Sequence, residues 1–526
     1  MRRLVLLALV PAAAFAQVAP PSHDHPAGKP EKLGNVSFDV TCAAATRPRF
    51  ERAVAMLHSF WFDAAEKAFS DITASDSTCA LAYWGRAMTM MGNPMTRVGP
   101  SPERQRTGLA LATRAKTLSA NASHREQMYA DAVLAYYQDY ETRDHLTRMK
   151  AHEQAFAALR GMHGDDMEAT IFYARTVVAN APPTDQTFAN QIAAANLLQP
   201  LFDKHPNHPG LAHYLIHAYD APPIAKNGAK AAQAYAGIAP DAPHALHMPS
   251  HIFTRLGYWD ESIETNARSA RAEPDSNGAV HPMDYMVYAF LQQGRERDAK
   301  KVVDRAVINA NAERFYGGVL GYNFVAMPAR YALEREAWAE AATLRLPMGG
   351  APNVRAITYF ARAIGAARSN NVAQARVEHD SLVAMKAQLD KANDSYWATI
   401  VEAQRLAAAS WIALASRDTV GALRLARSAA DLEETVEKHP VTPGPILPAR
   451  ELEGDLLLLL GRHAEALAVY EKTLVREPRR LRALSGAVKA AHKAGNHDAA
   501  HRHDTTLKEL TAKADPTAVN RYKAMK

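Results

Sequence analysis

Cysteine is almost missing from this 526-residue chain, which has only Cys42 and Cys79. Two thiols, neither in a CxxC pair, exclude a cysteine-cluster metal site and a paired-thiol redox motif. In an oxidising compartment the even pair predicts a disulfide that closes the N-terminal segment onto the second helical hairpin. The other reading is two buried thiols serving as small core residues. Long apolar runs are scarce as well. Leu4 to Val10 is too short for a membrane helix, which needs ~20 residues, and no later segment is long and apolar enough. An excess of one charge is also lacking: 61 basic residues stand against 55 acidic ones, dispersed, with no basic tract or aromatic–basic interleaving. That argues against nucleic acid as a partner. There is no GxSxG, P-loop or HExxH, and "GGVLG" at Gly317 to Gly321 lacks the strand–helix setting of a dinucleotide loop.

What is present begins with "MRRLVLLALVPAAAFAQ". Arg2 and Arg3, a short apolar core and Ala14-Phe15-Ala16 predict a signal peptide over 1–16, cleaved near Ala16. No cysteine follows that would carry a lipid. A flexible Pro/His-rich leader is expected over 17–40, and the mature protein should be exported, soluble, and periplasmic or secreted. Beyond it the chain reads as helix almost throughout. Ala, Leu, Arg and Glu dominate, apolar residues recur every three or four positions, and strand signals are nearly absent. Breaks such as "MMGNP", "RGMHGDD" and "AEPDSNG" separate segments of helical length, a pattern of internal repeats.

The segment "LPARELEGDLLLLLGRHAEALAVYEKTLVREP", Leu447 to Pro478, resembles a tetratricopeptide repeat, with Gly454, Gly461, Ala466, Tyr470 and Pro478 at its small, aromatic and terminal-proline positions. Gly495 and Ala500 fall 34 residues after Gly461 and Ala466. The resemblance implies an all-α solenoid of about a dozen helical hairpins, a right-handed superhelix with a concave groove. The expected divisions are degenerate repeats over 41–205, His-rich repeats over 206–295, degenerate repeats over 296–440, C-terminal repeats over 441–513 and a tail over 514–526.

The histidines fall on the same period. His247 lies 34 residues after His213, and His251 lies 34 after His217. A further 34 leads to His281 and Tyr285; aligning Gly294 with Gly257 instead pairs His281, Asp284 and Tyr288 with His244, His247 and His251. In the tetratricopeptide pattern these positions share the helix face that lines the groove. Pro249 should kink its helix, and Pro328 sits at the matching phase, making Arg330 the counterpart of His251. The expected ligand groove therefore contains His213, His217, Asp220, His244, His247, His251, His281, Asp284, Tyr285, Tyr288 and Arg330. His58, beside Trp61 and Phe62, reads as packing, and Glu451 with Asp455 as a solvated acidic face.

Three readings of the stripe stay open. His213, His217, His247 and His251 form two His-x-x-x-His pairs and can ligate copper, zinc or iron; with an open position, such a centre would serve a hydrolase or oxidoreductase. A groove without metal would bind a protein, a peptide or a small anionic ligand. The third reading is structural, with imidazoles satisfying loop carbonyls. The phrases "LHSFWFDAAEKAF", "HPGLAHYLIHAYD", "HALHMPSHIFTRLGYWDESI" and "HPVTPGPILPARELEGDLLLLLGR" resemble those of a group of exported bacterial tetratricopeptide-repeat proteins. That likeness implies the solenoid and supplies no activity. The leading expectation is a ligand-binding scaffold with a His-lined groove, with or without a transition metal.

Overall fold

The computed structural model describes residues 31–273, 277–309 and 318–523. The expected signal peptide, the leader as far as residue 30 and Gly317 of "GGVLG" lie outside them. Among the described residues all regular structure is helical, and no helix is long and apolar enough to cross a membrane. Successive helices pack as antiparallel neighbours, as Pro352–Arg368 does on Val372–Lys391, while alternate helices also touch, as Pro352–Arg368 does with Ser395–Ala415. This is an all-α solenoid of stacked helical hairpins.

Local chemistry sets the repeat. Gly257 and Gly294 close their helices with φ of +70° and +66°, a left-handed conformation that costs a residue with a Cβ more than glycine. Side chains of Asp144, Asp166, Asn371, Asp394, Asp418 and Asn496 cap the helices that follow them. Gly454 and Gly486 clamp the ring of Tyr470, and a Cβ on either would come within 2.8 Å and 2.3 Å of it. The helix that begins at Pro243 is interrupted at Met248, immediately before Pro249, as a proline without an N–H requires. Pro328 instead lies inside the uninterrupted Gly318–Glu334 helix.

Several expectations need correction. Residues 31–40 are not a loose leader: Phe38 is buried among Phe50, Trp84 and Tyr129, and the Asn35 N–H donates to the Asn207 carbonyl. Cys42 and Cys79, with Cα atoms 4.9 Å apart, are bonded to each other just beyond it. The region from 514 is not a free tail either, because Ala518 is buried and the Asp515 N–H donates to Gly294 O. Glu451 and Asp455 are not a solvated face. Glu451 is fully buried between Arg480 and Arg482 at 2.7 and 2.9 Å, and Asp455 pairs with Arg482 at 2.6 Å.

The largest departure concerns the groove. Between helices Thr419–Glu433 and Ala449–Leu459 the chain is irregular, and it folds across the histidine-bearing face. Val441, Thr442, Ile446 and Leu447 are buried. Irregular backbone inside a protein must find partners for its carbonyls, and here side chains supply them. Tyr285 donates to Thr442 O, Asn323 to Val441 O, Tyr396 to Glu437 O, and Arg330 to Pro445 O and Gly444 O. The expected open groove is filled by the chain itself.

Candidate metal centre

Four helical segments carry the six histidines. Pro209 opens the Pro209–Tyr219 helix, capped by the His208 side chain, and one turn separates His213 from His217 on a shared face. The Pro243–His247 and Pro249–Leu256 segments supply His244, His247 and His251, and the Val280–Gln292 helix supplies His281. The rings form one continuous array, with centroids 4.9 Å apart for His213–His217, 5.1 Å for His213–His244, 5.8 Å for His244–His247, 5.0 Å for His247–His251 and 4.5 Å for His247–His281. Phe60 and Tyr235 stack on it from the apolar side.

The ligand atoms gather in two triplets, His213 with His217 and His244, and His247 with His251 and His281; within each, the donor atoms all lie within 4.8 Å of one another. Hydrogen bonds fix several tautomers. Nδ1 of His213 is 2.6 Å from the His58 carbonyl, which can only accept, so Nδ1 carries the proton and Nε2 keeps its lone pair. Nδ1 of His247 is 2.6 Å from Asn266 Oδ1, and the Asn266 amide nitrogen is turned to Ser262 O. Nδ1 of His251 is 2.8 Å from Asp220 Oδ2. Carbonyl, amide and carboxylate partners of this kind orient imidazoles around metals.

Burial lowers the pKa of all six, and neighbouring imidazoles lower most of them further. They are therefore neutral at pH 7, the form that binds metal. Four buried nitrogens have no hydrogen-bond partner: Nε2 of His213, His217 and His244, and Nδ1 of His281. Behind His251, Asp220 also binds Arg255 at 2.8 Å and Lys438 at 3.0 Å. Burial opposes its ionisation, but Lys438 and Arg255 hold its carboxyl well below the usual carboxylate range.

A cavity of about 810 Å³ reaches His217 and Asp220 from one side, its wall including Arg97, Tyr396, Trp397, Lys438 and His439. Of the residues expected in the groove, the six histidines, Asp220 and Tyr285 come together, with the Tyr285 ring 5.0 to 5.2 Å from those of His247, His251 and His281. Three do not join them. Arg330, fully buried, pairs with Asp284 at 3.1 Å and donates to the Gly444 and Pro445 carbonyls. Tyr288 faces Glu477 and Arg480. Arg330 is not free for an anionic ligand, because the buried Asp284 carboxylate already pairs with it.

Sequence reasoning missed Lys438, Arg255 and Asn266, which act through tertiary contacts that no local spacing announces. It also missed a buried trio. Glu168 accepts from Nε2 of His58 and Nε2 of His208, both at 2.8 Å, while His58 stacks on Phe172 at 4.7 Å. Burial opposes charge on Glu168, but the donors His208 and His58 hold its carboxyl below the usual range. His58 is thus packing, as expected, and also part of a satisfied polar network.

No protein-family model matches the chain, and no curated protein matches it in sequence. Among solved structures it is similar to a human IFIT1 dimer with PPP-AAAA, at 12% identity over 88% of this chain and 89% of that one, TM-score 0.39. It is also similar to the APC/C hetero-tetramer Cut9–Hcn1, at 10% identity over 91% and 89%, TM-score 0.35. At these levels the likeness adds nothing to what the helices show by themselves.

Proposed function

We propose that this chain is a helical-repeat protein that holds a transition-metal ion in its histidine chamber and presents it to a small ligand arriving through the adjoining cavity. One observation carries the reading. Nε2 of His247 and Nε2 of His251 lie 3.0 Å apart, and both rings have their Nδ1 proton committed to an oxygen acceptor. Two lone pairs aimed at each other repel unless a cation, either a shared proton or a metal ion, sits between or beside them. Two imidazoles on one ion, with bonds of ~2.0–2.1 Å, place their nitrogens about 3.3 Å apart, close to the observed separation. Imidazole donors suit copper, zinc and iron.

The cavity favours the reading in which the ion does chemistry over one in which it is purely structural. Three imidazoles per triplet leave a coordination position open, and the cavity meets the array at His217 and Asp220. A hydrolase or oxidoreductase activity is then the second reading. A protein or peptide partner on the histidine face is disfavoured, since the segment around 437–447 covers it.

Elemental analysis of the purified protein tests the proposal. A stoichiometric transition metal, lost in a His247→Ala/His251→Ala variant that keeps its helical circular dichroism, is expected. Protein that stays metal-free after incubation with copper, zinc and iron salts refutes it.

A further inference from the structure

Resting on the metal reading, we infer that the chamber is a two-ion site, one ion in each histidine triplet, and that the ions it takes are copper. The triplets are built to one plan. Each has a His-x-x-x-His pair on one repeat, His213/His217 or His247/His251, and a third histidine from the next repeat, His244 or His281. The third members are equivalent, since His244 precedes Gly257 by 13 residues and His281 precedes Gly294 by 13, and both glycines end their helices in the left-handed conformation. The plan stops after two copies because the next pair has become Asp284 and Tyr288, bound instead to Arg330 and to Glu477 with Arg480.

Neither triplet is an accessory to the other. The first has three buried, partnerless Nε2 atoms of its own, on His213, His217 and His244, and the second has the facing His247 and His251 nitrogens and the partnerless Nδ1 of His281. Ring centroids across the seam are 5.8 Å apart for both His217–His251 and His244–His247, so two bound ions would be near neighbours. Their charge then selects the metal. The donors are neutral imidazoles, and the carboxylate at the chamber, Asp220, already faces Lys438, Arg255 and His251. No carboxylate bridges the triplets among the described residues. Two divalent ions repel four times as strongly as two monovalent ones at the same distance. Copper, which is stable as a monovalent ion on imidazole ligands, meets this constraint; zinc and ferrous iron do not.

The test is anaerobic titration of metal-free protein with Cu(I), read by competition with a chromophoric chelator and by elemental analysis after desalting. Wild-type protein should plateau at two equivalents, a result that needs no variant. His244→Ala and His281→Ala, each checked for native circular dichroism, should each plateau at one. A wild-type plateau at one equivalent, abolished by either substitution, overturns the two-ion site and leaves the metal reading standing. Two equivalents of zinc with none of copper overturns the choice of ion. No uptake of any metal overturns both.

Discussion

At the scale of single residues, the tightest constraints are those where one atom more or one charge less has no room to be absorbed. The Tyr470 ring is fully buried, and its hydroxyl donates to Asp455 at 2.6 Å. A Cβ on Gly486 would come within 2.3 Å of that ring. Gly486→Ala should therefore destabilise the protein by about 1–3 kcal/mol, read as a lower midpoint in urea unfolding. Gly161→Ala is the matched control, because a Cβ there meets nothing within 4 Å and the helical position favours alanine. Glu451 presents the electrostatic counterpart. Removing its carboxylate takes away the anion that Arg480 and Arg482 share, leaving Arg480 with Glu334 and Arg482 with Glu336 and Asp455. Glu451→Ala should cost about 1–3 kcal/mol, and no measurable loss in the same unfolding assay would contradict the pairing described.

Among elements, the segment from 434 to 448 decides how the histidines meet solvent. It has no helix to satisfy its backbone, so it depends on side chains from other helices, chiefly Arg330, whose guanidinium reaches Thr442, Gly444 and Pro445. Arg330→Met should release it: amides of 441–446 should exchange with solvent at least tenfold faster, while those of the Pro352–Arg368 helix change little. Equal protection in variant and wild type would mean that other contacts hold the segment. This element also marks where sequence reading ran out. The helical period, the His-x-x-x-His phase and the kink before Pro249 were legible, because spacing along a helix fixes which residues share a face. What could not be read was that residues 150 or more positions away would cover that face. Arg330 was read as an open cation because its helix phase is correct, while Asp284, the Thr442 hydroxyl and the Gly444 and Pro445 carbonyls reach it only through tertiary folding. Glu451 and Asp455 failed for the same reason: acidic residues on a groove face look solvated until Arg480 and Arg482 are placed against them.

Over the whole molecule, buried histidines outside the chamber set how the fold responds to acid. Burial lowers His145 and His439 to about 4 and His152 to about 3, with Arg148 acting on the first and Arg175 on the last in the same direction. A histidine in the unfolded chain titrates near 6.5. Between that value and the lowered ones the unfolded chain takes up protons that the folded chain refuses. Stability is therefore fully present above about pH 6.5 and falls as the pH drops toward 4. Thermal melts should show Tm declining steadily from pH 7 to pH 5, more steeply in wild type than in His152→Gln. A Tm that is flat or rising over that interval would show that these rings are not held neutral.

The order in which the chamber is assembled has a consequence for how anything is trapped in it. By His281 all six imidazoles of the chamber have been synthesised, yet Val441 and Thr442, which close over Tyr285 and His281, come about 160 residues later. For that interval a nascent or refolding chain offers its rings to whatever ions the compartment contains. Once the late segment docks, that face is closed and the array is reached only from the side where the cavity meets His217 and Asp220. Ions taken up during synthesis would then meet an open array, and ions taken up afterwards a single narrow approach.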